Sequence, residues 1–349
     1  MSESSSAASL ATEISLNEST HSGGGSTVVL PPPASVRRRH RGVGWRARAE
    51  ITLLSGPAII IFLLFVIVPV FVALYYSFFA WKGYGPATNF IGFGNYKYTL
   101  TNPDFWKAVE HNGIIIVLSL GMQGPLAILV ALLLNQKMRG RSLIRVLVFL
   151  PWVVSEAIAG VGFRLMLGGA SPALSGLLTK IGHLFGASGT VNVPWLSSTH
   201  LSIWTLMFIL TWKYIGYAII LMLAGLQGIP EELSEAAAVD GASYWQIQRH
   251  IMLPLLSPTI RVWAFLSIIG SLQLFDIIFV IWGQYNAATF GVSTMVYFLT
   301  NNGRMASQLG RGSAISIVVF VISLIIAIVY QRFVLRRDTE GAITDESGE

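Results

Sequence analysis

Six stretches of this chain, about 53–79, 111–134, 143–167, 201–226, 259–282 and 312–334, are each long and apolar enough to cross a bilayer. A span needs roughly 20 predominantly apolar residues, and a chain carrying six such runs has few ways to fold. Without water in the hydrocarbon core, every backbone N–H and C=O must be satisfied by protein, which leaves helices or a closed barrel. A barrel would show short segments of alternating polarity, whereas these runs are continuous. The predicted fold is therefore all-α, a polytopic bundle of six transmembrane helices. Composition agrees, with 53% hydrophobic residues, 11% charged residues and a mean hydropathy of +0.64, far from an ordinary soluble domain. Proline and glycine recur inside the runs, which membrane helices tolerate where neighbours satisfy the freed backbone groups.

The net charge of +6 is distributed by side of the membrane. Fifteen Lys and Arg fall on one set of span ends: six within 37–48, four within 137–145, Arg249, Arg261, and three within 332–337. The opposite ends carry six, namely Lys82, Lys97, Lys107, Lys180, Arg304 and Arg311, while Arg164 and Lys213 lie within or near spans. The positive-inside rule places both termini and the loops near 140 and 240 in the cytoplasm. The basic balance is thus an orientation signal, and a nucleic-acid partner is not expected.

Residues 1–36 are rich in Ser, Gly and Pro ("SESSSAAS", "HSGGGST", "LPPPAS") and lack the apolar surface to fold, so they are expected to be disordered. The run "RRRHRGVGWRAR" then meets the first apolar stretch, which is too long for a cleaved signal sequence and reads as an uncleaved first helix. The predicted organisation is a cytoplasmic tail over 1–50, a transmembrane domain over 51–335 and a second cytoplasmic tail over 336–349. A short amphipathic helix is expected near 172–185. The chain has no cysteine, and its six histidines are scattered without ligand spacing, so neither thiol chemistry nor a metal site is expected. No glycine-rich phosphate loop and no Ser/His/Asp constellation occurs. The chain has no evident means of catalysis.

Against this background "IPEELSEAAAVDGASYWQIQRHIMLP", residues 229–254, stands out. Pro230 fits the first position of a helix, and Glu231 and Glu232 suit its first turn against the helix dipole. Leu233, Ala236 and Ala237 fall at i, i+3 and i+4, giving one narrow face of small residues. Asp240-Gly241 is a turn or helix stop. A second short helix is expected over about 243–250, before Leu253-Pro254 leads into the fifth span. A solvated amphipathic loop would account for the charge and helicity but not for the spacing. That spacing is Glu235-Ala236-Ala237, three residues, Gly241, nine residues, then Ile251-x-Leu253-Pro254.

The pattern resembles the EAA signature of permease subunits of binding-protein-dependent ABC importers, and the resemblance extends over about 51–335. "FIGFGNYKYTLTNPDFW", "RGRSLIRVLVFLPW", "LAGLQGIPEELSEAAAVDGA" and "GRGSAISI" are similar to the carbohydrate-uptake, maltose-permease-like branch. The resemblance implies the ABC importer permease fold in a bacterial cell membrane, with a cytoplasmic coupling helix. It also implies a non-enzymatic subunit without a cofactor, since ATP and Mg would bind partner subunits. Those partners would be a second permease, two cytoplasmic ATPase subunits and an extracytoplasmic solute-binding protein that delivers a carbohydrate. Glu235, Ala236, Ala237, Asp240, Gly241, Leu253 and Pro254 are then the expected ATPase-coupling residues. One departure is that "IWGQYNAAT" at 281–289 replaces the family's T-x-GGP-like turn.

Polar groups inside spans are costly and default to functional candidates. In the fourth span these are Trp212, Lys213, Tyr214 and Tyr217. In the fifth, Ser267, Gly270, Ser271 and Leu274 follow i, i+3, i+4, i+7, a face that suits close helix packing as well as it suits a pathway. The resemblance implies that both sets line a sugar site; by its amide chemistry Gln273 is a further candidate. Rings that stack on sugars and groups that bond their hydroxyls suit an uncharged carbohydrate. Lys213 at mid-membrane calls for a carboxylate, with Glu156 and Asp276 available, unless it snorkels. Glu156 and Arg164 suit packing or hydration of the interior. An ABC importer of another solute (an amino acid, a peptide, phosphate) and an ion-coupled secondary carrier remain as alternatives. Against the carrier stand the signature and the lack of detectable inverted repeats.

Overall fold

The computed structural model describes residues 45–136, 139–168, 173–186, 188–190, 193–286, 291–305 and 307–335. The expected disordered segment 1–36 and the tail 336–349 lie outside them. Two units, Met1–Ile60 and Ile61–Glu349, divide the chain, and of the first only the start of a helix at Trp45 is described.

The described residues are helical apart from loops and one isolated antiparallel bridge between Phe79 and Phe90. Among the described residues, five helices are long and apolar enough to cross a membrane: α1 (Thr52–Tyr76), α3 (Pro103–Asn135), α7 (Leu201–Gln227), α9 (Tyr244–Leu272) and α12 (Leu309–Val334). A sixth crossing is possible only as a bent pair, α4 (Arg141–Val153) and α5 (Glu156–Leu167), which meet at 91°. Shorter helices are α2 (Gly94–Thr101), α6 (Ala173–Leu184), α8 (Glu231–Val239), α10 (Asp276–Asn286) and α11 (Met295–Leu299). The amphipathic helix expected near 172–185 is α6.

Two expected spans differ from what forms. The third, 143–167, is broken rather than continuous. Pro151 withholds an N–H near the end of α4, Val154 is extended (ψ 135°), and Ser155 stands at the N-cap position of α5, with Glu156 in its first turn. The fifth begins earlier and ends earlier than 259–282. The helix expected over 243–250 runs directly into it as α9, which stops at Leu272, and α10 is separate.

Prolines explain the continuity of the longer helices. A five-residue π-turn precedes Pro69 in α1 (Leu63–Ile67), Pro125 in α3 (Ser119–Gln123) and Pro254 in α9 (Gln248–Met252). A proline ring crowds the carbonyl four residues back and donates no hydrogen bond. Widening the preceding turn relieves both effects without ending the helix. Pro57 and Pro258 lie inside helices without such a turn. The longest uninterrupted helix, α7, contains no proline.

The centre of the bundle is α7, more than half buried along its apolar window. It packs on the second half of α3, on α4 and on α9. An added Cβ at Gly216 would lie 2.2 Å from the Val148 carbonyl oxygen, and one at Gly225 would lie 2.4 Å from Thr259 Oγ1. These two glycines bring α7 against α4 and α9. Around the other half of the molecule, α12 packs along the later part of α1, and α10 lies on α5. Asn112 joins three elements where α9 ends. Its Nδ2 donates to the Ser271 carbonyl (2.6 Å), and its Oδ1 accepts from the Met295 N–H (2.9 Å). One buried amide thus ties the end of α9 to the start of α11, where the Met295 N–H has no partner within its own helix.

Candidate functional site: an interior cavity and an exposed acidic helix

Inside the bundle, α3, α4, α7 and α9 surround a cavity of about 210 Å³. Tyr214 and Tyr217 line it from α7, and Ser267, Gly270 and Ser271 line it from α9. Leu274 lines it too, although it lies beyond the end of α9 and not on the continuous helical face that its spacing suggests. The polar and aromatic lining residues that escaped sequence reasoning are Ser119 and Gln123 on α3, Trp152 on α4 and Trp263 on α9. Ser119 and Gln123 stand four apart in an otherwise apolar run, a signal that could have revealed them. Trp152 follows Pro151 at a break the sequence did not disclose.

Two candidates from the fourth span lie elsewhere. Trp212 is 38% exposed and meets Phe163 edge-on (5.1 Å, 82°). Lys213 is buried, and it forms no ion pair among the described residues, neither with Glu156 nor with Asp276. Its Nζ donates to the backbone carbonyls of Pro151 (3.2 Å), Trp152 (2.8 Å) and Val154. The expectation of a carboxylate overlooked the carbonyls that a broken helix exposes. Glu156 instead accepts a hydrogen bond from the Tyr214 hydroxyl, and Arg164 donates to the Val280 carbonyl (3.3 Å). Gln273 is exposed at the end of α9, and Asp276 is exposed at the start of α10.

The polar groups of the cavity are ordered among themselves. Ser119 Oγ donates to Gln123 Oε1 (2.8 Å) and lies 2.8 Å from Ser267 Oγ. A hydroxyl has one proton, so the Ser267 hydroxyl donates to Ser119, and the chain of bonds runs from α9 to Gln123. Ser271 Oγ donates to the Ser267 carbonyl (2.8 Å). Trp152 stacks on Tyr217 with ring centroids 5.5 Å apart and planes inclined by 17°. The lining has aromatic faces, hydroxyls and an amide, and no charged side chain.

The second region is α8 with the turn that follows it. Pro230 occupies the N-cap position, one residue before the first helical position expected of it, and Glu231 opens the helix. The helix ends at Asp240 and Gly241. The Gly241 N–H bonds the Ala238 carbonyl (3.1 Å), and the Ala242 N–H bonds the Ala237 carbonyl (3.0 Å), the paired bonds of a Schellman motif. That motif needs a left-handed residue, and Gly241 has φ +87°. Ser243 then starts α9 with its N–H (2.7 Å) and hydroxyl (2.8 Å) both donating to Gln246 Oε1.

Leu233, Ala236 and Ala237 do not share one environment. Leu233 and Ala236 are exposed, while Ala237 packs inward on the bundle together with Ala242, Ile251 and Leu253. Glu235, Asp240, Gly241 and Pro254 are exposed. Glu232, Glu235 and Asp240 form no ion pair among the described residues, and Val239 (88%) and Trp245 (61%) stand exposed beside them. Acids interspersed with exposed apolar groups on a well-stopped helix make a surface suited to a partner. The segment 281–289 turns at Gly283 (φ +68°), with Trp282 Nε1 bonded to the Leu196 carbonyl (2.9 Å), and residues 287–289 lie outside the described residues.

A membrane-crossing helical bundle with a neutral interior cavity and an exposed acidic helix at one end defines a transport subunit. Residues 123–339 match the family described as "Binding-protein-dependent transport system inner membrane component". The trehalose/maltose transport system permease protein of Thermococcus litoralis is 33% identical over 278 residues, 80% of this chain and 91% of that protein. The arabinooligosaccharides transport system permease protein of Bacillus subtilis is 29% identical over 297 residues, 82% of this chain and 90% of that protein. Among solved structures, a bacterial ABC transporter involved in import of the acidic polysaccharide alginate has a similar fold. It matches with a TM-score of 0.72 at 25% identity, covering 84% of this chain and 98% of that one. This chain belongs to the family of inner membrane components of binding-protein-dependent transport systems. It is a multi-pass permease subunit of the ABC importer type and is not itself an enzyme.

Proposed function

We propose that this chain pairs with a second permease to form the pathway by which an ATP-driven importer takes up a neutral sugar or oligosaccharide. The observation that carries the reading is the interior cavity, whose lining combines stacking rings with hydroxyl and amide groups and contains no charge. Aromatic faces suit the apolar faces of pyranose rings, and hydroxyls and amides suit sugar hydroxyls. The relatives named for trehalose, maltose and arabinooligosaccharides agree with that chemistry. The solved transporter named for an acidic polysaccharide would suggest a charged substrate, but Lys213, the cation closest in sequence to the lining tyrosines, has its donors engaged by backbone carbonyls.

In this reading an external binding protein delivers the sugar, and α8 docks on a cytoplasmic ATPase subunit that holds ATP and Mg. Glu235, Ala236, Asp240 and Gly241 are the contact residues, and Ala237 and Leu253 link α8 to the bundle. Both termini and residues 229–254 lie in the cytoplasm, in accord with the lysine and arginine distribution. The test is uptake by cells expressing the full system with its binding protein, using radiolabelled maltose, trehalose, arabinooligosaccharide and alginate oligosaccharide. Uptake of a neutral sugar, with none of the alginate oligosaccharide, is expected. Uptake of the acidic sugar alone, or of amino acids or peptides alone, refutes the neutral-sugar assignment.

A further inference from the structure

The one lysine buried in α7 has a use that no substrate contact explains. A lysine ammonium has three N–H groups, and Lys213 directs them at three acceptors, the carbonyls of Pro151, Trp152 and Val154. These are carbonyls that α4 leaves without helical partners where it breaks. The negative end of a helix dipole favours a cation. The next residue, Tyr214, donates to Glu156 in the first turn of α5. Consecutive residues of α7 therefore hold both sides of the 91° break. Gly216, one turn on, lets the α7 backbone touch that of α4 at Val148. Tyr217, at i+4 from Lys213, stacks on Trp152, the residue of α4 that forms part of the cavity wall.

We infer that Lys213 is a positioning residue of the pathway: by capping the broken end of α4 it fixes Trp152 against Tyr217 and so sets one wall of the cavity. The link to transport rests on the cavity being the sugar pathway, while the clasp itself does not. Lys213 has no donor left for a substrate, so its removal acts through the wall it holds.

The experiment uses the assembled transporter in lipid nanodiscs, with labelling read on this subunit after the subunits are separated, because this chain has no native cysteine. Val154→Cys keeps the carbonyl and places a thiol at the break, and Ser188→Cys is a remote exposed control. In the Lys213→Met background, an unbranched side chain one atom shorter and without donors, maleimide labelling at position 154 should accelerate about tenfold, the change that 1.4 kcal/mol makes in an equilibrium. Labelling at 188 should not change. Lys213→Gln, with two donors, should give an intermediate rate and stands in if the Met variant does not assemble. Unchanged labelling at 154 in both variants overturns the inference. For a neutral sugar that the wild type takes up, Lys213→Met and Trp152→Leu should each lower the uptake rate, and the double variant should fall short of their product, because residues acting through one another are non-additive. Fully additive losses overturn the route through Trp152. If the wild-type complex takes up no neutral sugar, the proposed function fails, and the labelling result is unaffected.

Discussion

Replacing Gly241 separates two roles that a glycine at the end of α8 can have. Its φ of +87° is required by the Schellman bonds from Gly241 to Ala238 and from Ala242 to Ala237. An L-residue in the left-handed region costs roughly 1–2 kcal/mol, with Asn and Asp tolerating it best. A Cβ built at Gly241 meets no atom within 4 Å, so this chain imposes no further steric penalty. Against a typical stability of about 5–15 kcal/mol, Gly241→Asn and Gly241→Asp should leave the subunit folded and inserted. If α8 docks on an ATPase subunit, however, a new side chain at the bare turn meets the partner. Both variants should then retain wild-type membrane levels on a blot, fail to co-purify the ATPase and lose uptake by at least about tenfold, equivalent to 1.4 kcal/mol of contact energy. The informative comparison is Gly241→Ala, which is conformationally worse than Asn but smaller. A purely local role predicts that Ala is the more harmful; a docking role predicts that Asn and Asp are. Wild-type uptake in Gly241→Asp, or loss confined to Gly241→Ala, would refute the docking argument at this residue.

Tyr217→Ala and Ser271→Ala should each slow sugar uptake severalfold, since loss of one hydrogen bond or ring contact costs about 1 kcal/mol; binding of sugar to the external binding protein should be unaltered, and wild-type uptake in both would make these faces packing surfaces. Gly216→Ala sets a Cβ 2.2 Å from a backbone oxygen, so it should destabilise the solubilised subunit by about 1–3 kcal/mol as over-packing does, lowering its thermal midpoint. By contrast Gly270→Ala, with nothing within 4 Å of the added carbon, should leave that midpoint unchanged or raised. Glu235→Lys should weaken ATPase association in a salt-sensitive manner, because exposed ionic contacts are screened; co-purification at low and high salt measures this. A cysteine at Ser188 should react with an impermeant reagent from outside the cell, and reaction only from the cytoplasmic side would invert the topology.

What the sequence disclosed and what it concealed follow from the range of the forces involved. The long apolar runs are local properties, and α1, α3, α7 and α12 lie where hydropathy places them. The start and stop of α8 were legible because acids in a first turn and an Asp-Gly stop act within a few residues. The 154–155 break was concealed because a hydropathy window averages over it: Pro151, Ser155 and Glu156 sit in a stretch whose mean is still that of a span. The run-on of α9 was concealed for another reason: in the sequence Leu253-Pro254 leads from a separate short helix into the fifth span, whereas the π-turn Gln248–Met252 carries one helix past the proline. The packing of Ala237 inward and of Ala236 outward depends on where α8 lies against the bundle, which no spacing within α8 determines.

The partner of Lys213 shows how a sequence argument can choose the wrong currency of interaction. Pairing a buried cation with a carboxylate is sound when side chains are the only free acceptors, but a broken helix frees backbone carbonyls, and these are anonymous in a sequence. Once the break is known, the arrangement of charge becomes consistent. Lys213 and Glu156 both serve the break, on opposite sides of it, through contacts made by and to adjacent residues of α7. The cavity beside them is left lined by rings, hydroxyls and an amide. An ion-coupled carrier would be expected to set a carboxylate or histidine where ion and substrate pass. Among the described residues that line the cavity there is neither, which accords with the proposed reading of it as a site for a neutral solute. In the proposed reading, energy for uphill transport arrives through a partner ATPase, and the exposed acidic surface of α8 is the part of the chain we assign to that contact.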